Sequence, residues 1–242
     1  MCWSGEASAV LATVGLVSTA YVAIKGEDKR LWLPLGYFSL MEVLQAYTYT
    51  VIDDCSNPNN QLATLFGYLH IVFQPFLINL MSLYFVPKEV REKVEFWVFA
   101  ALLVCAFTMI VSIYPFTWAP PCDPSYSPFC GKKFCSLSGD WHIAWEMPRT
   151  IVAWPFGVRA YALAAFVIPV LYGSWRFTLY HFITGPFLAY LTTGSLNELA
   201  AVWCLFSIGL LLVVIKTPVR KWLFVEKWYF WGYNSKKSSS KE

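Results

Sequence analysis

The sequence predicts an all-α fold, a polytopic membrane bundle of about seven transmembrane helices. Apolar runs recur along the chain at roughly the 20-residue length that a helix needs to cross a bilayer core. Of the 242 residues, 57% are hydrophobic and only 14% are charged, whereas a soluble domain carries about 25% charged residues. Because backbone N–H and C=O groups inside lipid must pair internally, the apolar runs are predicted to be helices.

Four apolar runs in the N-terminal half of the chain predict the first four spans. Charged loops separate them, since Lys25–Arg30 follows the first run and Pro87–Lys93 follows the third. Charged residues are costly in the hydrocarbon core and therefore mark the ends of spans. The predicted spans are Ala7–Ile24, Leu31–Ile52, Leu62–Val86 and Val94–Pro115.

Three further apolar runs follow the long polar segment in the middle of the chain. Arg176 separates the first two of these runs, and Lys216 follows the last. An alternative with eight spans adds a short crossing over Trp141–Phe156 and would place the basic tail outside. The predicted fifth, sixth and seventh spans are Phe156–Trp175, Phe177–Thr193 and Leu196–Ile215.

The distribution of basic residues predicts the orientation. Of the 18 Lys and Arg residues, 14 lie in the loops after spans one, three and five or after span seven. By the positive-inside rule the richer side is cytosolic, so the N-terminus is predicted outside and the C-terminus inside. We expect an integral protein of the plasma membrane or of a secretory-pathway membrane. The four basic residues of the outer side are Lys132, Lys133, Arg149 and Arg159.

The membrane domain is predicted over residues 1–233. Its last part, residues 222–233, mixes aromatic residues with basic ones, which is typical of an interfacial helix on the inner leaflet. Its Lys residues would attract anionic lipid headgroups, although a plain membrane anchor is the simpler alternative. Residues 234–242 are predicted to be a polar, disordered tail. The lipid bilayer is the expected partner, and no nucleic-acid partner is predicted.

The seven cysteines fall into two groups. Cys105 and Cys204 lie inside spans four and seven, where small buried packing residues are expected. The other five lie on the predicted outer side, three of them in the loop 116–140, where disulfides form in the secretory pathway. The pairing is left open, and an odd number leaves one cysteine unpaired. The disulfide candidates are Cys55, Cys122, Cys130 and Cys135, and the fifth outer cysteine is Cys2.

Polar side chains within the spans mark candidate functional positions, because ionisable groups in hydrocarbon are costly. Glu42 lies about 16 Å into span two at the helical rise of about 1.5 Å per residue, near the midplane. His70 reaches a similar depth in span three, and Gln74 lies one turn further along the same face. A hydrogen-bonded pair of Glu42 and His70 is predicted, which can hold a proton, a metal or a substrate group. A neutral packing histidine is the alternative for His70.

A second polar group is predicted at the outer side. His142 and Glu146 are four residues apart, so a helical turn there would place both side chains on one face. His and carboxylate are ligands suited to zinc or iron, and they are equally the usual proton carriers. The predicted metal ligands are His70, His142 and Glu146, and the alternative is that His142 and Glu146 are wet interface residues. The predicted catalytic cluster is Glu42, His70, Gln74, His142 and Glu146.

The sequence lacks the motifs that identify several functional classes. Span seven has no mid-span lysine for a retinal Schiff base, since Lys216 lies at its end. There is no Gly-rich phosphate loop, no Gly-x-Ser-x-Gly elbow and no His-Glu-x-x-His motif. His181, near the cytosolic end of span six, is predicted to be a packing histidine. Glu198 is predicted to favour the start of span seven through the helix dipole.

Four stretches resemble a family of functionally uncharacterised integral membrane proteins, and the resemblance covers most of the chain. It implies a membrane fold and brings no known activity. The seven-span hydrolases related to alkaline ceramidase and the progestin and adiponectin receptors carry a late His-x3-His, but His181 has Phe177 and Gly185 at those spacings. The four stretches are Met1–Ser4, Glu42–Gln45, Leu69–Pro75 and Glu198–Cys204.

Three functions are compatible with these residues. The first hypothesis is a membrane-embedded enzyme whose outer-half His/Glu site, with or without a metal, acts on a lipid or apolar substrate. The second is a transporter or channel for a small solute or protons, favoured by Glu42 and His70 at mid-depth. The third is a receptor-like or structural protein in which the polar groups only fix helix packing.

Overall fold

The computed structural model describes residues 2–123, 129–150, 156–228 and 233–234 of the chain. Helices account for most of these residues, so the predicted helical character is confirmed. Side-chain oxygens of Ser4, Asp28 and Asn57 cap the first three helices by accepting bonds from first-turn N–H groups. The helices of the N-terminal half are α1 (Gly5–Ile24), α2 (Lys29–Thr48), α3 (Pro58–Ser82), which a 3₁₀ turn at Leu83–Phe85 extends, and α4 (Lys88–Val111).

Two helical rods in the C-terminal half each contain one π-helical turn. Pro186 lies inside the second turn, where its missing N–H removes a bond of the regular ladder. The first rod is α5 (Phe156–Ala162), a π turn at Leu163–Val167 and α6 (Ile168–Leu171). The second is α7 (Trp175–Phe182), a π turn at Ile183–Phe187 and α8 (Leu188–Thr193). The remaining helices are α9 (Leu199–Lys216) and α10 (Val219–Leu223).

Four helical segments of the described chain are long and apolar enough to cross a membrane. Their outward faces carry large apolar side chains, such as Ile24, Trp97 and Phe107, which are 84%, 71% and 67% exposed. Large contiguous apolar surfaces are uncommon on soluble monomers, so these faces suit lipid. The other three predicted spans also lie on helical segments, but these are shorter or more polar. The four segments are Gly5–Ile24, Pro58–Phe85, Lys88–Val111 and Leu199–Lys216.

The centre of the bundle is α9, which contacts α1, α2, α8, α10 and the hairpin described below. Helix α1 packs chiefly on α2, and a small residue permits their close approach. A Cβ placed on Gly15 would collide with the Oγ of Ser39 and would lie 3.3 Å from Ile208 on α9. The three helices therefore meet closely on the side where the α2 polar residues are buried.

A β-hairpin covers one end of the bundle. Strand β1 (Cys135–Ser138) pairs antiparallel with β2 (Ile143–Glu146), with Cys135 opposite Glu146. The side chain of Asn60 on α3 holds β1, because its amide bonds both the N–H and the C=O of Ser136 at 2.9 Å. We call this end, which also contains the N-terminus and the loops 49–57 and 194–198, the disulfide end.

Two disulfides brace this end, and all four cysteines are the predicted candidates. Cys55 joins Cys135, which ties the α2–α3 loop to β1, and Cys122 joins Cys130. The fifth cysteine of the predicted outer group is Cys2, which is unpaired and exposed, whereas Cys105 and Cys204 are free and buried. The prediction that these cysteines form disulfides is therefore confirmed, and the structure supplies the pairing that the spacing left open.

The helical turn that would place His142 and Glu146 on one face is not formed, because Ile143–Glu146 is strand β2. Its backbone bonds β1 and, through the N–H of Trp145, the carbonyl of Asn197, which leaves no helical ladder. The same strand contradicts the helical crossing over Trp141–Phe156 on which the eight-span alternative depends. Residues 151–155 of that stretch lie outside the described residues.

The opposite end, which we call the basic end, contains the turns at residues 25–28, 83–87, 172–174 and 217–226. Arg220 after α9 pairs with Glu27 at 2.9 Å and donates to the hydroxyl of Tyr84 at 2.9 Å through its Nε. Arg176 donates to the carbonyls of Trp222 and Phe224, both at 3.0 Å. These contacts join the turns that the charge pattern had assigned to one side of the membrane.

The predicted interfacial helix over residues 222–233 is wrong in its described part. Helix α10 ends at Leu223, and β3 (Lys227–Trp228) pairs with β4 (Tyr233–Asn234). The chain leaves the helix because Phe224 is extended and the N–H of Val225 bonds the carbonyl of Phe85. The predicted boundary between residues 233 and 234 falls inside β4, and the rest of the predicted tail, residues 235–242, lies outside the described residues.

Candidate functional site

Helix α2 carries two polar side chains into the interior of the bundle. Glu42 is fully buried and Gln45, one turn further, is 1% exposed. Neither carboxylate oxygen of Glu42 and neither amide atom of Gln45 has a hydrogen-bond partner among the described residues. Buried polar atoms are nearly always paired, so two adjacent unpaired side chains are unusual. This pair is the first component of the candidate site.

His142 lies directly before β2 and is fully buried at the disulfide end. Its Nδ1 is 2.6 Å from the hydroxyl of Tyr49, and the two rings stack with their centroids 5.7 Å apart. Burial lowers the pKa of His142 to about 3, so the imidazole is neutral at neutral pH. Its Nε2 has no partner among the described residues. Trp3 lies on the same ring at a centroid distance of 6.1 Å.

Glu198 fixes His142 in place through the backbone. Its two carboxylate oxygens accept three bonds from the N–H groups of Asp140, Trp141 and His142, at 3.0, 2.8 and 2.8 Å. Gly139 is required beside it, because a Cβ there would collide with the Glu198 side chain. Glu198 directly precedes α9, where a helix-start role was predicted. Its side chain instead holds the hairpin by these three hydrogen bonds, and we call this contact the clamp.

His70 occupies a different environment from the one predicted. Its ring stacks on Tyr37 with centroids 3.9 Å apart, and the Tyr37 hydroxyl donates to the His70 carbonyl at 2.7 Å. The predicted hydrogen bond between Glu42 and His70 is not formed, since neither oxygen of Glu42 has a partner. His70 therefore lies in an aromatic contact between α2 and α3.

Gln74 is a buried link between three helices. Its Oε1 accepts a 2.5 Å bond from the hydroxyl of Tyr161 on α5, and its Nε2 lies 3.6 Å from the Sγ of Cys204 on α9. Both ends of the amide are therefore occupied by protein groups.

Glu146 lies at the end of the hairpin and packs against the backbone of Gly131. A Cβ added to Gly131 would lie 2.6 Å from the Glu146 Cβ. Within the described ranges, no group of three or more His, Cys, Asp or Glu side chains lies close enough to hold one metal ion. The structure thus brings Tyr49 and His142 into contact, but among the described residues it does not assemble the predicted metal set of His70, His142 and Glu146.

A cavity of about 230 Å³ lies beneath the hairpin, between α3, α4, α5 and α9. Its walls are almost entirely apolar and aromatic. Polar groups reach it mainly from Gln74 and from Arg149, which is half-buried at the disulfide end. A pocket of apolar walls with a few convergent polar groups is the usual form of a small-molecule site. Further lining residues include Tyr68, Trp145, Tyr161, Phe166, Leu199 and Trp203.

The first π turn borders this cavity. Phe166 in that turn stacks on Trp203 at 5.7 Å and on His181 at 5.4 Å. The second π turn reaches Trp203 from the other side, because a Cβ on Gly185 would lie 2.5 Å from the Trp203 Nε1. His181 is buried in an aromatic cluster, as expected for a packing histidine, but its Nδ1 has no hydrogen-bond partner among the described residues. Such π turns occur often at functional sites, and here both surround one wall of the cavity.

Several residues of these two regions were not identified from the sequence. Tyr49 lies seven residues after Glu42, which is two turns along the same face, and this spacing could have indicated it. Arg149 was counted only as an outer charge. Tyr161 and Trp203 gave no signal, since aromatic residues on apolar helices are ordinarily core residues.

Comparison with known proteins identifies the family of this chain but gives no activity for it. Residues 6–224 match a family of unknown function, DUF5765, and the chain belongs to that family. No curated protein and no solved structure matches the chain.

Proposed function

We propose that this protein is a multi-pass membrane protein with seven spans, whose disulfide end faces away from the cytosol. The excess of basic residues in the turns of the basic end supports this orientation through the positive-inside rule. Disulfides support it independently, because they form and persist in the secretory pathway and on cell surfaces. The plasma membrane or a secretory-pathway membrane is the proposed location, with anionic lipids of the cytosolic leaflet near the basic tail.

Cys2 provides a test of this orientation. It is the exposed free cysteine of the described chain, because the other two free cysteines are buried and four are in disulfides. We expect a membrane-impermeant maleimide to label intact cells that express the protein, and Cys2→Ser to abolish the labelling. If the protein lies in an internal secretory-pathway membrane, labelling should require permeabilisation of that membrane as well. Labelling that appears when only the plasma membrane is permeabilised would place the N-terminus in the cytosol and contradict the orientation.

We further propose that the cavity beneath the hairpin holds the hydrocarbon part of a small amphipathic anion. The observation that carries this proposal is the combination of apolar walls with one cation, Arg149, at the cavity. Among the described residues, no acidic side chain forms an ion pair with Arg149. A guanidinium is suited to bidentate recognition of a carboxylate or phosphate. The volume of about 230 Å³ is below the range of about 300–1,000 Å³ for drug-sized ligands, which favours a short chain.

The proposal concerns binding rather than catalysis, because of where the predicted catalytic residues lie. Glu42, His142 and Glu146 are not among the residues that line the cavity, whereas Gln74 is. An enzyme acting on the bound molecule would need a reactive group at the cavity wall. The hydroxyl of Tyr161 lines the cavity but is already bonded to Gln74. Binding or passage of an apolar molecule is therefore the function that the geometry supports best.

Binding of decanoate to the protein in lipid nanodiscs tests this function. We expect saturable binding above that of empty nanodiscs, and a loss of at least tenfold in affinity in Arg149→Gln, which is about 1.4 kcal/mol. Decanol has the same chain without the charge, so its weaker binding should not change in this variant. The matched control is Arg159→Gln, since Arg159 is a basic residue of the same side that does not line the cavity.

Two results would contradict the binding proposal. Equal affinity of the parent and Arg149→Gln for decanoate would exclude the guanidinium as the headgroup site. Binding of decanoate that survives replacement of the wall residue Leu199 by Trp would place the molecule elsewhere, because the larger ring would fill the cavity.

A further inference from the structure

The described part of the chain contains two buried carboxyl groups with opposite surroundings. Glu198, which is 2% exposed, accepts three backbone N–H bonds. Glu42 is fully buried and accepts none. An ionised carboxylate without donors or a counter-ion in a low-dielectric interior is very costly, so such a group takes up a proton instead.

Among the described residues, the groups that face Glu42 include no cation to balance a negative charge. From α1 comes the Ser8 hydroxyl, which lies close to the carboxyl and accepts a 2.9 Å bond from the Trp3 indole N–H, but its contact with Glu42 does not meet hydrogen-bond geometry. From α2 comes Gln45, from the residue that ends this helix comes Tyr49, and from α9 comes Cys204, whose thiol is bonded by Gln74 of α3. Within the described ranges, the ion pairs and cation–π contacts of the bundle do not involve Glu42.

A polar route leads from Glu42 to the disulfide end. Tyr49 lies two turns further along the same face of α2, and its hydroxyl is within electrostatic range of both Glu42 and Glu198. That hydroxyl also forms the 2.6 Å bond with Nδ1 of His142. The imidazole has a second nitrogen, Nε2, without a partner in the described structure. A hydroxyl and an imidazole in series can pass a proton, because each can donate and accept.

We propose that Glu42 is an internal proton-binding site that exchanges its proton with the disulfide end through Tyr49 and His142. In one transfer outward, a side-chain movement first brings the Glu42 carboxyl into contact with the Tyr49 oxygen, because the two groups are not hydrogen-bonded in the described structure. The Glu42 proton then goes to the Tyr49 oxygen, the Tyr49 proton goes to Nδ1 of His142, and the Nε2 proton passes to water at the disulfide end. Glu42 is then ionised, and Tyr49 and His142 are again neutral, so one proton has moved. The proton-binding site at Glu42 is separate from the cavity and its proposed ligand. It gives the bundle an internal group that can bind and release a proton.

Infrared spectroscopy of the protein in nanodiscs tests the site directly, through the C=O stretch of a protonated carboxyl group at neutral pH. We expect one such band in the parent, its loss in Glu42→Gln and its retention, shifted in frequency, in Glu42→Asp. The matched control is Glu198→Gln, which removes the other buried carboxyl and should leave the band unchanged. After transfer to D₂O, we expect the deuterium shift of the band to be at least tenfold slower in Tyr49→Phe than in the parent.

Each alternative result is decisive. A parent without the band, or a band that survives Glu42→Gln, would overturn the assignment of the proton to Glu42. A band that appears only when Na⁺ and K⁺ are removed would show that an alkali cation, rather than a proton, occupies the site. Equal exchange in Tyr49→Phe and the parent would overturn the route. Glu42→Asp covers the case in which Glu42→Gln does not fold, because it keeps the titrating group.

Discussion

Replacement of Glu198 by Ala is expected to lower the free energy of unfolding by about 3–5 kcal/mol and to release the hairpin from α9. Three backbone N–H groups lose their acceptor at once, those of Asp140, Trp141 and His142. A buried donor without a partner costs about 1–3 kcal/mol, and bonds to a charged group are the stronger ones. The expected effect is large because one side chain satisfies three donors.

Amide hydrogen exchange measures this release locally. In Glu198→Ala the amides of residues 140–142 should lose protection, whereas the amides of α2 should keep it. Glu198→Gln retains one acceptor oxygen and is expected to fall between the parent and the Ala variant. Glu226→Ala removes an exposed carboxylate at the basic end and serves as the control. Unchanged protection at residues 140–142 in Glu198→Ala would show that Glu198 does not hold the hairpin.

The second large effect is the expected dependence of stability on pH through His142. Burial lowers the pKa of His142 to about 3, whereas an unfolded histidine has a pKa of about 6.5. Below pH 6.5 the unfolded chain binds a proton on this side chain that the folded chain does not bind, so acid favours unfolding. Between pH 6.5 and 3 the free energy of unfolding should fall by roughly 1.4 kcal/mol per pH unit from this group.

Comparison with His142→Gln isolates this contribution. The Gln side chain can still accept the hydrogen bond of Tyr49 but does not titrate. Thermal unfolding in detergent, measured from pH 7.5 to pH 4, should therefore show a shallower loss of stability in His142→Gln than in the parent. Parallel curves for the two proteins would mean that the folded protein binds a proton at His142 as readily as the unfolded chain does, contrary to the expected effect of its burial.

The large features of the fold were predictable because their signals are local. Apolar runs of helical length identified the helices, and the cysteines outside the spans identified the disulfide partners. The polar positions Glu42 and Gln74 were found for the same reason, since a polar residue in an apolar run is conspicuous, whereas His142 was found through its spacing to Glu146. What failed were inferences about distance between elements. Depth along two helices suggested that Glu42 meets His70, but depth does not fix the rotation of either helix.

The hairpin and the tail show a second limit. The spacing of His142 and Glu146 is compatible with a helix, and only the bonds of the segment to β1 and to the Asn197 carbonyl make it a strand. The aromatic segment after α10 has the composition of an interfacial helix, yet Arg176 and the Phe85 carbonyl hold its beginning in an extended form. Both outcomes depend on partners that are remote in sequence.

The sequence by itself determined that the chain is a helical protein of membrane-like composition with oxidisable cysteines outside its apolar runs. These properties depend on composition and on spacing within one segment. The tertiary structure alone decided that Glu198 clamps the hairpin, that Arg149 reaches an apolar cavity and that Glu42 has no hydrogen-bond partner in the described part of the chain. Each of these is a contact, or a missing contact, between groups far apart in the chain, and it depends on helix rotation and packing that local sequence does not specify.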